Sequence, residues 1–384
     1  MTDYPVIHWQ EAGEEKSARW RSESGAPAPK KAIVADDSIS ADNAYRLACE
    51  GTALLWRGDY QNARQLLQAM ARRADRKPRK AKLQPNSPRE AFHLYRQARS
   101  QRARTLGMLL LPFDSDHSIP LRRAPDAKQA CMEAYGEASE PYVASLRELT
   151  GLISAHEWRK KGVEIPALQS RIHPHYGVFA PTRGEYVDLV NQAALPELIG
   201  TQSVAFDIGT GTGVLAAVLA RRGIKRIVAT DQDQRALSCA RENLTRLGLA
   251  VEVQQADLFP AGQATLIVCN PPWVPARPSS PLEYAVFDPE SRMLKGYLEG
   301  LAEHLLPGGE GWLILSDLAE HLELRTRAEL LAMIADAGLQ VLERIDTRPH
   351  HPRVMDTSDP LHAARSAETT SLWRLAANQL IIEN

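Results

Sequence analysis

The chain has 384 residues, of which 44% are hydrophobic, with a formal net charge of −1 and four cysteines. That length predicts about two globular domains with ordinary cores, and the lack of a basic-then-apolar leader or of a run near roughly 20 apolar residues argues against export or membrane insertion. Cys49, Cys131, Cys239 and Cys269 show no CxxC spacing, so neither a disulfide framework nor a zinc site is expected, and a reducing cytoplasm fits best.

In chain order, residues 1–40 read as a polar, flexible leader containing Ser24-Gly25-Ala26-Pro27-Ala28-Pro29-Lys30-Lys31. Apolar residues then recur at helical spacing from 41 to about 70. A loop rich in Lys, Arg and Pro covers 76–88, a helix over 89–111 stops at Pro112, and a further helical stretch spans 128–160 with Pro141 as a break or start. Residues 41–165 are therefore expected as a mainly helical, basic domain for substrate recognition. From 166 to 384 the pattern changes to strand, turn, helix, repeated. Strands are predicted at 203–207, 226–230, 251–255, 265–269 and 312–316, with helices over 209–222, 234–247, 291–306 and 325–337. Two last apolar segments, 339–345 and 371–375, show no helix between them and read as a terminal antiparallel hairpin. Parallel neighbours need a crossover connection, so the alternation predicts a doubly wound α/β fold, a seven-stranded sheet with helices on both faces.

Two motifs carry chemistry. Asp207-Ile208-Gly209-Thr210-Gly211-Thr212-Gly213 follows a predicted strand and opens a predicted helix, the context in which a glycine turn binds a nucleotide-like ligand through backbone N–H groups. Without that context it is a plain strand-to-helix turn. Asp231 ends the next strand, where a carboxylate accepts both hydroxyls of a ribose. A dinucleotide dehydrogenase would want GxGxxG where this chain has GxGxG, and would leave the second motif unexplained. That motif is Asn270-Pro271-Pro272-Trp273, after the fourth strand. Asn-Pro favours turns in any case, but in this position the four residues make a rigid clamp for a planar group carrying an NH2. The Asn270 side-chain carbonyl and the Pro271 backbone carbonyl each take one N–H, the prolines fix the backbone, and Trp273 stacks on the flat group.

These residues, with Asp257 after the third strand, resemble the class I S-adenosylmethionine-dependent methyltransferases over 172–384, and within them the HemK-like branch with the methyltransferase small domain. The resemblance implies a Rossmann-like methyltransferase sheet, S-adenosylmethionine as cofactor on Asp207, Gly209, Gly211, Gly213, Asp231 and Asp257, the last addressing the adenine amino group, and catalysis at Asn270 to Trp273. Its acceptors are a protein glutamine or a nucleobase amine. Gly177-Val178-Phe179-Ala180-Pro181-Thr182-Arg183-Gly184-Glu185 is similar to the family's aromatic-x-Pro element, which helps wall the cofactor pocket. The clamp's fourth residue is usually Tyr or Phe; here it is Trp273.

Methyl transfer from a sulfonium needs an in-line nucleophile and little else, so positioning is most of the catalysis and no metal is required. His173, His175, His350 and His351 read as exposed His-Pro loops rather than ligands, and Phe287-Asp288-Pro289 as either a cover for the substrate or a surface loop. Residues 64–104 hold 13 basic side chains against Asp75 and Glu90, a local net of +11, which makes the segment a candidate for nucleic-acid contact and equally a set of solvated helix faces. The expected function is N-methylation of a macromolecule, protein or RNA/DNA; the alternative is a non-catalytic binding or partner subunit on the same fold.

Overall fold

A computed structural model describes residues 4–76, 85–200, 202–279, 283–349 and 356–378. The chain separates into two compact units, one of Met1–Pro85, His93–Glu157 and Ser279–Pro281, the other of Asn86–Phe92, Trp158–Pro278 and Leu282–Asn384.

The first unit is built on a closed barrel of β1 (Val6–Glu11), β2 (Glu14–Trp20), β3 (Lys31–Ala35), β4 (Thr52–Trp56), β5 (Leu109–Phe113) and β6 (Tyr142–Ser145), in the order β1-β2-β6-β5-β4-β3. Helices α1 (Ala41–Cys49), α2 (Tyr60–Ala74), α3 (Pro88–Leu106), α4 (Lys128–Tyr135) and α5 (Leu146–Lys161) occur along the same stretch of sequence. The expected flexible leader is thus corrected: β1, β2 and β3 occupy it, and Ile7, Trp9 and Trp20 join Leu55 and Leu110 in the barrel core. The Trp20 indole donates to the Ala26 carbonyl at 2.8 Å, which fastens the Ala-Pro stretch. The mainly helical domain expected over 41–165 is corrected as well, because β4, β5 and β6 run through it. All five residues of β4 are buried, and a strand buried on both faces has no period of two, so its short apolar run passes for part of a helix. Pro112, expected to end a helix, lies inside β5 opposite Val143.

In the second unit, β7 (Val163–Ile165) and β8 (Ser170–Ile172) form a small antiparallel pair. There follow α6 (Glu185–Gln192), β9 (Val204–Ile208), α7 (Val214–Arg221), β10 (Arg226–Asp231), α8 (Gln234–Arg246), β11 (Glu252–Gln255), β12 (Ala264–Cys269), α9 (Arg292–His304), β13 (Leu305–Ser316), α10 (Leu318–His321), α11 (Arg327–Asp336), β14 (Leu339–Thr347), α12 (His362–Ala367) and β15 (Thr370–Ala377). The seven strands lie in the order β11-β10-β9-β12-β13-β15-β14. β11 to β13 are parallel, and β15 is antiparallel to both of its neighbours. The terminal antiparallel pairing is as expected, with one correction: α12 lies between the two strands, so the connection is not a bare hairpin.

Local chemistry explains the helices. Asp233 caps α8 by accepting from the Arg235 N–H, and Thr326 and Glu329 form a reciprocal capping box on α11. Val214, Leu215, Val218 and Leu219 of α7 bury against Ile227 and Trp312 on one side of the sheet. Tyr297, Leu298 and Leu301 of α9 and Ile334 of α11 pack with Leu313 on the other. Each such side chain contributes about 1.5–3 kcal/mol on leaving water. Strand order reverses between β9 and β12, the switch point at whose carboxyl end open α/β sheets bind ligands. Among the described residues, no helix is long and apolar enough to cross a membrane.

Candidate active site

Sheet register brings the two motifs together. Ile208, at the end of β9, pairs with Cys269 of β12 on one side and Thr230 of β10 on the other. The glycine turn therefore leaves the sheet flanked by Asn270 and by Asp231. Gly209, Gly211 and Gly213 all have φ in the left-handed region, at 70°, 55° and 81°, which non-glycine residues adopt only at a cost. At Gly213 a Cβ would also lie 3.3 Å from the Ala240 Cα, so the turn must be bare for α8 to pack on it.

Asp207 is 1% exposed, and its Oδ2 accepts from the Thr210 hydroxyl at 2.6 Å and the Ala216 N–H at 3.0 Å. That oxygen is spent on holding the turn, so Asp207 shapes the glycine turn from beneath. Burial, partly offset by these hydrogen bonds, pushes its carboxyl up from 3.8 to about 6. A carboxyl raised on folding contributes stability that is fully present below its unfolded value and is lost as pH rises through its folded one. Wild type is therefore expected to lose about 1 kcal/mol between pH 5 and pH 7 relative to Asp207→Asn, measured by urea unfolding of both chains at both pH values. An identical pH response of the two proteins would contradict the assignment.

Asp231 is half-buried, accepts from the Gly211 N–H through Oδ2 and from the Asp233 N–H through Oδ1, each at 3.0 Å, and has its carboxyl raised mainly by burial. Each oxygen keeps a lone pair for a ribose hydroxyl, and the space over Gly211 is open where a side chain would stand. The turn thus fits the cofactor that the motif implies. Asp257 follows β11 but is exposed and pairs with Arg292 at 2.5 Å; for that carboxylate to meet an adenine, the pair must open or share. Met293, which carries no sequence signal, lies over Gly209: a Cβ built there would sit 2.4 Å from its terminal methyl.

The clamp is held from both sides. Trp273 packs against the cores on both faces of the sheet, and its indole N–H donates to the Asn270 Oδ1 at 2.8 Å. This bond sets the amide orientation and leaves the second lone pair of Oδ1 to accept an N–H. Pro271 is buried and Pro272 half-buried. After the clamp the chain folds back so that the Asp288 N–H donates to the Val274 carbonyl at 2.9 Å. Asp288 is 4% exposed and accepts from the N–H groups of Met293 and Leu294 at the start of α9. This corrects the surface-loop alternative for Asp288, while Tyr284 and Val286 just before it stay exposed. Sequence reasoning also missed Asn243 of α8, whose amide donates to the carbonyls of Thr212 and His173 and so ties down the turn.

The histidines differ from expectation. His173 and His175 are half-buried, with Nδ1 of the first 2.7 Å from the Arg159 carbonyl and Nε2 of the second 2.8 Å from Glu242. His350 and His351 lie outside the described residues. In the basic segment Arg73 pairs with Asp42 at 2.6 Å and Arg102 with Asp75 at 2.7 Å, so part of its charge is neutralised locally. Arg64, Arg72, Arg76 and Arg104 are exposed; Lys77, Arg79, Lys80 and Lys82 lie outside the described residues.

Residues 169–324 match the family described as Methyltransferase small domain. They form a methyltransferase small domain. Over these residues the chain thus carries an S-adenosylmethionine-dependent methyltransferase domain. Its similarity to the Ribosomal protein L11 methyltransferase of Sorangium cellulosum is 29% identity over 236 residues, 56% of this chain and 68% of that protein. The Release factor glutamine methyltransferase of Cereibacter sphaeroides is 38% identical over 125 residues, 31% of this chain and 40% of that protein. This chain spans 52% of the corresponding release factor enzyme of Deinococcus radiodurans, at 34% identity over 36% of its own length. A crystal structure of ribosomal protein L11 methylase from Lactobacillus delbrueckii subsp. bulgaricus aligns with a TM-score of 0.38 and 17% identity, over 55% of this chain and 87% of that one. The methyltransferase small domain thus covers both motifs and leaves the barrel unit unmatched by that family.

Proposed function

We propose that this chain methylates a planar amide or amino nitrogen of a macromolecule, with a protein glutamine side chain as the favoured acceptor. The observation that carries this reading is the register that sets Asn270, oriented by Trp273, beside the Gly209 turn. When bound, S-adenosylmethionine supplies a methyl group already activated on a sulfonium. Asp231 would hold the ribose, and the backbone N–H groups of the turn from Gly209 to Gly213 would receive the ligand. An amide nitrogen is a poor nucleophile because its lone pair is delocalised. The Asn270 Oδ1 and the Pro271 carbonyl would each accept one of its N–H groups, which favours charge on the nitrogen. Trp273 offers the stacking face. The names of the release factor relatives agree with a glutamine acceptor.

The test is to incubate the full chain with S-adenosylmethionine labelled at the methyl carbon and separated pools of release factors, ribosomal proteins and RNA. Label in the release factor pool is the expected result; bound cofactor with no label in any pool would leave the non-catalytic alternative.

A nucleic-acid-bearing acceptor is the second reading, favoured by the exposed Arg64, Arg72, Arg76 and Arg104. On that reading, neutralising Arg72 and Arg76 lowers the slope of log affinity against log salt by about 1–2 through reduced counterion release, with cofactor affinity unchanged. Arg73 is left out because Asp42 already holds it. Identical salt titrations of RNA binding by wild type and the double variant would remove this reading.

A further inference from the structure

Beside the clamp lies an ion pair of a half-buried arginine and a buried glutamate that neither motif includes. Glu368, directly after α12, is 1% exposed, and its Oε1 accepts from the Arg183 Nη1 at 3.1 Å and from the Ser316 hydroxyl at 2.7 Å. Its Oε2 is buried with no hydrogen-bond partner. A half-paired buried carboxylate is expensive, and an apolar pair of the same shape would usually serve stability as well. The arrangement therefore asks for another reason, and Arg183 supplies one. Its guanidinium carbon lies 5.8 Å from the centroid of the Trp273 ring, within reach of a cation–π contact. Glu368 is itself fixed: the neighbouring Thr369 exchanges hydrogen bonds with Asp317 in both directions, at 2.7 and 3.0 Å. The contacts run in one line, from Glu368 to Arg183, to the Trp273 ring, and through the indole N–H to the Asn270 Oδ1.

We propose that Glu368 and Arg183 are positioning residues that set the Trp273 ring and, through it, the acceptor oxygen of Asn270. The guanidinium suits this better than a lysine ammonium, because its fixed fork can engage Glu368 while the charge stays within reach of the ring. The proposal rests on the functional reading above only for the role of Asn270; the contacts themselves are independent of it.

The test uses the full chain labelled with fluorotryptophan, whose seven tryptophans each give a fluorine resonance, the Trp273 signal being assigned by its loss in Trp273→Phe. Glu368→Gln keeps an acceptor for Ser316 and removes the charge; Arg183→Lys keeps the charge and removes the fork. Both are expected to move the Trp273 resonance while those of Trp9, Trp20 and Trp56 stay in place, and the double variant is expected to move it no further than the larger single shift. Methyl transfer should fall by a factor on the order of ten in each, and in Glu368→Gln with S-adenosylmethionine affinity unchanged. A Trp273 resonance that stays put in either folded variant overturns the proposal. Should Glu368→Gln fail to fold, the half-exposed Arg183 decides alone, through Arg183→Lys and Arg183→Gln. If wild type fails to bind S-adenosylmethionine, the functional reading falls while the fluorine result still judges the positioning line.

Discussion

Asn270→Ala is expected to lower the methyl-transfer rate by a factor on the order of 100 or more, as loss of one preorganised polar contact does in other active sites. S-adenosylmethionine binding should be unchanged. The split follows from where the side chain points its chemistry. Its Oδ1 is held by Trp273 at 2.8 Å, on the acceptor side of the switch point. Rate measured at saturating cofactor, beside a calorimetric titration of the same protein, separates the two effects. Equal losses of affinity and rate would assign Asn270 to the support of the fold.

Asp231→Ala should do the opposite, weakening S-adenosylmethionine binding by about 1–3 kcal/mol, the cost of leaving polar partners unpaired, which is on the order of a 5- to 150-fold rise in Kd. Part of that loss arises in the protein, because Asp231 also accepts from the Gly211 N–H. Asp231→Asn divides the contributions: the amide oxygen keeps the bond to Gly211 but offers the ribose one acceptor fewer. An affinity in Asp231→Ala equal to that of wild type would remove the carboxylate from the cofactor site.

Much of the site could be read from sequence because its residues are neighbours in the chain. Asp207 to Gly213 and Asn270 to Trp273 are continuous runs at strand ends, and parallel pairing of β9 with β12 brings them side by side. What stayed hidden is what register and folding back bring in from afar. Glu368 lies 185 residues from Arg183 along the chain, and Asn243 acts on a turn 31 residues before it; no local pattern marks either one. Asp257 shows a different limit: its place after the third strand was legible, its partner Arg292 was not. The barrel was missed for a physical reason of its own. Its strands are short, and β4 and β6 are buried along their whole length, so the alternation that betrays a half-exposed strand is absent. In the leader, by contrast, β1 does alternate, with Ile7 and Trp9 buried between exposed neighbours. Its strand signal was outweighed by the polar and Pro-rich residues around it.

The most direct test of the account is to locate the transferred methyl group by mass spectrometry of the labelled acceptor after turnover by the full chain. A methyl group on a side-chain amide or exocyclic amino nitrogen, lost with Asn270→Ala, is the predicted result. A methyl group on carbon or oxygen, formed at the same rate by the Asn270→Ala protein, would contradict it.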